Sequence, residues 1–449
     1  MPKLVVTSLL MLFAGCIAYQ PRPASIESNA KGLLTRSLDS EIMRGAIAAQ
    51  EPSAAGNWPP QRWTASQLGI AALVLHPDLD VARANLTAAR AAIRIAAERP
   101  NPSVSVGVER KSGSGPVSPW VTSLTLTLPI ETAGKRGARV REATALSNEA
   151  AANVDQAIWA VRNGVARAAV DLARAEALHA ARIRERVLRE EIVAIHTRRL
   201  EAGDEATPEV ARARAEERSA AAMALADAAR IETARDTLAG AIGIPRTALP
   251  RDIDLQQRDV TRSSASDATL YELALTARPD VLAALARYDA ADAAYRLEVQ
   301  RQYPDLNLFP GLGWDQSAFK WTIGAAAELP IFNRHEGPIA RADAERERAA
   351  MELVALQARI LSAVDTARTQ ERNARERLAA ATRVAEARES LLASGRKQFS
   401  AGEIDRLVLR LQEVESAAAE ADRVDARFDI HAALVELEAA VEQPLGGNR

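Results

Sequence analysis

Five histidines, one cysteine and 59 acidic side chains are the groups in this 449-residue chain that could ligate a metal or move protons. Their spacing suits neither task. His76, His179, His196, His335 and His431 are scattered, with no pair at the helical spacing that aims two imidazoles at one ion. The single cysteine, Cys16, excludes an internal disulfide framework and a cysteine metal cluster. Five methionines are too few for a soft copper relay. Ser112-Gly113-Ser114-Gly115 reads as a connection between strands, not as a phosphate loop. The sequence therefore predicts no catalytic residue, no resident metal and no cofactor. The carboxylates that stand out do so by position. Asp204, Glu205 and Glu209 follow Gly203, and Glu403 and Asp405 follow Gly402. Acidic rings attract cations, and an acid beside a helix start also stabilises the helix itself.

The elements that place these acids come twice. Leu128-Pro129-Ile130 closes one alternating segment, and Leu329-Pro330-Ile331 closes another. Pro77-Asp78-Leu79 returns as Pro279-Asp280-Val281, and Pro102 as Pro304. Leu200-Glu201-Ala202-Gly203-Asp204 returns as Phe399-Ser400-Ala401-Gly402-Glu403. Order and spacing are kept, so the chain is a duplicated unit.

The first unit, 63–245, reads as a helix over 66–99 interrupted near His76-Pro77, strands over 103–111 and 120–130, then helices over 136–201 and 209–242. A linker over 246–267 leads to the second unit, 268–445. It reads as a helix over 270–302, strands over 305–314 and 320–331, and helices over 338–400 and 403–441. At 1.5 Å per residue the helix over 136–201 would reach about 100 Å, the length of a rod. Leu353, Leu356, Ile360, Ala363, Ala367, Ala374 and Ala381 give the helix over 338–400 patches of coiled-coil spacing. The fold class is mainly α with a small β part.

Residues 16–62 read as an extended lead-in rich in Pro, Ser and Gly. Before them, Lys3, the apolar stretch Leu4 to Phe13, and Ala14-Gly15 describe a signal peptide over 1–15. A cysteine directly after the small pair is similar to a bacterial lipoprotein signal, in which that cysteine carries the lipid. Phe13 departs from it, standing where leucine is usual. A plain signal with an incidental cysteine is the alternative. The net charge of −2 gives no electrostatic reason to expect nucleic acid.

No stretch elsewhere offers about 20 consecutive apolar residues, so a membrane crossing would have to use strands. Trp120, Thr122, Leu124, Leu126 and Leu128 alternate with Val121, Ser123, Thr125 and Thr127; Trp321, Ile323, Ala325, Ala327 and Leu329 alternate with Lys320, Thr322, Gly324, Ala326 and Glu328. In a bilayer the faces of Trp120, Leu124, Leu126, Trp321 and Ile323 would meet lipid, and the polar faces would line water. Aromatics gather here: Trp120, Phe309, Trp314, Phe319, Trp321 and Phe332. Lipid offers the backbone no hydrogen-bond partners, so a spanning sheet must close. Four strands are too few, about eight being the practical minimum, so several chains would share one barrel. The alternative is a small soluble β-domain.

Taken together, Cys16, the doubled helix–strand–strand–long helix–helix plan, the paired Leu-Pro-Ile ends and the paired Ala-Gly-acidic turns resemble the TolC family of outer-membrane efflux factors. Tyr19-Gln20-Pro21-Arg22-Pro23 and Glu131-Thr132-Ala133-Gly134-Lys135-Arg136 look most like its CzcC-like heavy-metal efflux branch. The resemblance implies a homotrimer with a twelve-stranded outer-membrane barrel and a periplasmic α-helical tunnel. It implies docking to a periplasmic adaptor and an RND-type inner-membrane transporter, and no bond chemistry. The periplasmic tip would carry Gly203, Asp204, Glu205, Glu209, Gly402, Glu403 and Asp405, with the aperture near Leu407, Val408 and Leu411. At the two places beyond the second tip glycine where family members often carry aspartates, this chain has Val408 and Leu411. An apolar constriction is therefore expected instead of a carboxylate gate. Cargo would be metal cations or small toxic compounds. Type I protein secretion, and a soluble periplasmic coiled-coil scaffold, are the competing readings.

Overall fold

The computed structural model describes residues 18–51, 58–112, 118–255, 266–315 and 318–445. Cys16 and the signal-like segment lie outside them. The lead-in is not extended throughout: it holds two helices, α1 (Ile26–Leu34) and α2 (Glu41–Gln50). Each starts on a serine, Ser25 accepting from the Ser28 N–H and Ser40 from the Met43 N–H. Met43 and Ile47, one turn apart, are buried and anchor α2. Alanine, serine and proline are the commonest residues over 16–62, and that composition masks this spacing.

The strand β1 (Trp63–Thr64) leads into α3 (Ala65–Leu75), which opens on a reciprocal cap between Thr64 and Gln67. α4 (Pro77–Ala97) restarts after His76, because proline fits the first turn of a helix but not its interior. The strands β2 (Ser103–Arg110) and β3 (Trp120–Ile130) follow, then the rods α5 (Lys135–Ala202) and α6 (Thr207–Ile242). α5 has 68 residues, about 100 Å of helix. It stops at Gly203, whose φ of 84° returns the backbone N–H groups to Arg199 and Leu200. Glycine adopts that left-handed conformation without a Cβ penalty.

The linker contributes β4 (Ile253–Asp254), which pairs in parallel with β1. The second unit then runs α7 (Asp267–Thr276), α8 (Pro279–Gln300), β5 (Leu306–Asp315), β6 (Ala318–Ala327), α9 (Glu336–Ser400) and α10 (Arg406–Val441). The helix expected as one piece over 270–302 is thus two, since Pro279 forces Arg278 into an extended conformation. α10 starts at Arg406 and not at 403, because Asp405 is its N-cap.

β2, β3, β5 and β6 form one antiparallel sheet in that order. Opposed residues share a face, so the register puts Val104, Val106, Trp120, Leu124, Leu312, Trp314, Trp321 and Ile323 on one side. Ser105, Thr125, Gly311 and Thr322 lie on the other. Phe309 is on the polar side, opposite Gly324. The strand expected over 320–331 stops at Ala327, short of Leu329-Pro330-Ile331. Its partner β5 begins at Leu306, opposite Ala327, and Pro330 has no N–H to offer. The Ile331 N–H turns back to the Leu329 carbonyl at 2.8 Å.

Two apolar clusters anchor the helices. One gathers Leu38, Met43, Ile47, Trp63, Leu68, Val165 and Leu238; the other gathers Leu270, Val281, Ile360, Val364 and Leu437. Along α9 the buried line runs through Ile360, Val364, Ala367, Glu371 and Ala374, so Val364 takes the place expected of Ala363. Glu371 is tolerated in that line because Arg368 and Arg375 both pair with it.

Candidate functional site

The two helical reversals bring the singled-out acids to the same end of the rods, but not to the same task. Glu205 folds back on α5, its carboxylate 3.0 Å from His196 Nδ1. Glu209 pairs with Arg212 on its own helix at 3.3 Å. Asp405 accepts the Val408 N–H at 2.9 Å and receives Arg199 at 2.5 Å. The Val408 amide and then the Arg199 guanidinium hold its carboxyl below the usual carboxylate range. Asp204 and Glu403 are exposed and make no ion pair among the described residues.

The seam between α5 and α10 joins the two repeats. Ile192, Ala213 and Val414 form its apolar patch near the reversals, with Leu188 and Leu407 packed against it. Glu191 receives Arg410 at 2.7 Å and Arg406 at 3.8 Å. Farther up, Arg174 lies 2.6 Å from Asp425 and 3.0 Å from Asp429, and Arg377 pairs with the same two acids. Of the three aperture residues, Leu407 is therefore turned into this seam. Val408 and Leu411, one helical turn apart, are exposed. Arg199, Glu191, Arg406 and Arg410 were not singled out in the sequence, and His196 was noted only as one of five scattered histidines. The spacing of Arg406 and Arg410 was the available signal, since both reach one face of α10.

The other end carries the sheet. Its apolar face is uncovered: Trp120, Leu124, Trp314, Phe319, Trp321 and Ile323 are all exposed. Arg110 sits over the Trp120 ring at 5.6 Å. Behind it, the polar face is lined mainly by serines, threonines and glycines, with Phe309 and Val121 among them. Among the described residues no helix is long and apolar enough to cross a membrane, and no group of three or more His, Cys, Asp or Glu could hold a metal ion.

A sequence profile of outer membrane efflux proteins matches residues 69–244 and 270–442, one match for each repeat. The chain belongs to the outer membrane efflux protein family. Among curated relatives, the cobalt-zinc-cadmium resistance protein CzcC of Cupriavidus metallidurans is 28% identical over 292 residues, covering 62% of this chain and 65% of that protein. The match thus spans just under two thirds of that relative. Among solved structures, the outer membrane protein VceC of Vibrio cholerae superposes with a TM-score of 0.69 at 22% identity, over 85% of this chain and 97% of VceC. The CusC channel gives 0.70 at 17% identity, over 84% and 91%. A membrane protein from Pseudomonas aeruginosa gives 0.70 at 21%, over 84% and 93%. At these identities the likeness establishes the fold, which is that of the family's outer-membrane channels, with a small sheet on long helical rods.

Proposed function

We propose that this chain is the exit duct of a tripartite efflux pump in the bacterial outer membrane. Three copies close a twelve-stranded barrel, and their paired rods form a periplasmic tunnel. The observation that carries this reading is the sheet: four antiparallel strands, one uncovered apolar face, one polar face, and outer edges on β2 and β6 that meet no strand among the described residues. Such a sheet is satisfied in lipid only by closure with further copies. A periplasmic adaptor docks at the reversals, where Asp204 and Glu403 are free to be read, and an RND-type transporter supplies the energy. Metal cations are the proposed cargo, a choice supported by the likeness to a cobalt-zinc-cadmium resistance protein. Cys16 is the proposed lipid anchor; Cys16→Ser should abolish incorporation of labelled fatty acid.

The test is expression, with its genomic adaptor and transporter partners, in a host lacking its own metal efflux. Lower accumulation of zinc, cobalt or cadmium than with an empty vector is expected, together with discrete conductance of the purified protein in planar bilayers. Export of a protein substrate without metal efflux would favour type I secretion. A detergent-independent monomer without conductance would favour a soluble scaffold.

A further inference from the structure

The repeat relation holds in three dimensions, residue for residue. In β2–β3, Val104 lies opposite Leu126 and Arg110 opposite Trp120. In β5–β6, the corresponding pairs are Leu306 opposite Ala327 and Leu312 opposite Trp321. The alignment that matches Pro102 with Pro304 and Leu128-Pro129-Ile130 with Leu329-Pro330-Ile331 converts one set of pairs into the other without slip. Among the described residues the strands of the two repeats meet at one junction, β3 against β5: Ile130 opposite Leu306, Leu128 opposite Leu308, Thr125 opposite Gly311 and Leu124 opposite Leu312. A closed ring of identical copies needs a second junction, β6 against the next copy's β2. Its two edges are the ones of this sheet that meet no further strand among the described residues.

We infer that the junction between copies repeats the junction within the chain, setting Ile331 opposite Val104 of the partner subunit, Leu329 opposite Val106 of the partner subunit, and Ala325 opposite Arg110 of the partner subunit. This rests on the trimeric reading above and adds the register. Three independent features agree with it. First, the faces match. Leu329 and Ile331 continue the apolar alternation of β6, and Val104 and Val106 belong to the apolar face of β2; a slip of one residue would set apolar side chains against polar ones. Second, the transferred register needs four residues beyond the observed end of β6, 328–331. In the single chain Leu329 and Ile331 are 71% and 66% exposed, and Val104 and Val106 are 64% and 72% exposed, so both edges stand ready. The partner edge draws 328–331 into the strand, as Leu306 holds Ile130 at the end of β3.

Third, the clasp below the strands changes chemistry in a compatible way. Within the chain, Thr132 donates its hydroxyl to the Pro304 carbonyl at 2.6 Å, and Lys135 reaches Asp305 at 2.8 Å. The alignment places Asn333 and Glu336 where Thr132 and Lys135 stand, and Ser103 where Asp305 stands. A base-to-acid pair becomes an acid facing a hydroxyl donor, Glu336 against Ser103 of the partner subunit. Neither replacement sets like charges together.

Disulfide trapping in the full chain tests the register. Directly opposed Cβ atoms lie about 5 Å apart and diagonal ones about 7–8 Å, while a disulfide needs about 4 Å. Val106→Cys with Leu329→Cys, and Val104→Cys with Ile331→Cys, are the in-register pairs. Val104→Cys with Leu329→Cys, and Val108→Cys with Leu329→Cys, are slipped by two residues but keep the faces. Each single variant alone controls for Cys16. On oxidation in membranes the in-register pairs should shift from monomer to covalent dimer and trimer on non-reducing denaturing gels, and the slipped pairs should not. Native gels of the reduced proteins show whether each variant still assembles. Assembly with trapping of a slipped pair, or of no pair, overturns the register while leaving the trimer standing. A wild-type chain that runs as a monomer in detergent overturns both.

Discussion

Arg199, in the last turn of the first repeat's long helix, donates to Asp405, the residue that caps α10 of the second repeat, at 2.5 Å. One carboxylate thus ends one helix pair and ties it to the other. Its counterpart by repeat is Ala206, which caps α6 with no side-chain bond. The two reversals of the same fold are therefore secured differently.

Asp405→Ala should loosen the start of α10. Losing an N-cap costs about 1 kcal/mol, so amide exchange at Val408 and Leu409 should speed up roughly fivefold. Arg199→Ala keeps the cap and removes a half-exposed ion pair, a contribution of about 1 kcal/mol or less, so the exchange there should change less. The pH sign follows from the lowered Asp405 pKa. The stabilisation is present at neutral pH and fades only as pH falls below about 4. Hydrogen exchange at pH 5 and pH 7, corrected for intrinsic rates, should therefore show the same protection at these amides. Equal exchange in wild type and Asp405→Ala would refute the capping role.

In the sheet, Leu124 and Ile323 lie on the apolar face and Thr125 on the polar one. Arginine at Leu124 or Ile323 should impair membrane assembly by roughly 2–4 kcal/mol if the site is near mid-bilayer. Arginine at Thr125 should be tolerated better. The readout is the trimer fraction in outer-membrane extracts, and equal yields for the three variants would contradict a lipid-facing apolar side.

Glu442 ends α10 with φ 50°, at the place where the first repeat ends α6 on Gly243. It is buried with Arg278 at 3.1 Å and, through Arg278, with Asp280. Burial outweighs the Arg278 charge, Asp280 adds to the effect, and the carboxyl is pushed up to about 7. An acid with a raised folded pKa favours folding below its unfolded value of about 4.3 and loses that contribution as pH rises through about 7. Glu442→Gln should therefore raise the melting temperature of the detergent-solubilised protein more at pH 8 than at pH 5. A shift that is the same at both values would mean that Glu442 is ionised throughout.

The duplication, the strand faces and the four rods are legible in the sequence because each rests on a long periodic pattern or a repeated local signal. Element ends depend on partners that composition does not reveal. Ile130 stays in a strand because Leu306 lies opposite it, whereas Ile331, with the same neighbours in sequence, has no such partner among the described residues of its own chain. Met43 and Ile47 share their helix with Ile42, Ala46, Ala48 and Ala49, so the sequence does not set them apart; they become a core anchor because they cluster with Leu38, Trp63 and Leu68. At the reversals the acids were visible, but not their arginines. A charge on a long helix looks alike whether it faces solvent or a second helix from 200 residues away.

Val408 and Leu411 project from one side of α10, while Leu407 is packed toward Ile192, Ala213 and Val414. That division separates two effects a substitution at this end could have. If closure of the duct is apolar packing of Val408 and Leu411 around the trimer axis, Val408→Asp or Leu411→Asp brings three like charges together. They repel in the low-dielectric constriction, and single-channel conductance in planar bilayers should rise. Leu407→Asp places its charge in the seam between repeats instead, so it should lower thermal stability before it changes conductance. Glu403→Gln with Asp405→Asn should alter conductance less than either apolar substitution but weaken adaptor crosslinking. Opening by neutralisation of the two acids, with no response to Val408→Asp or Leu411→Asp, would place the gate on the carboxylates.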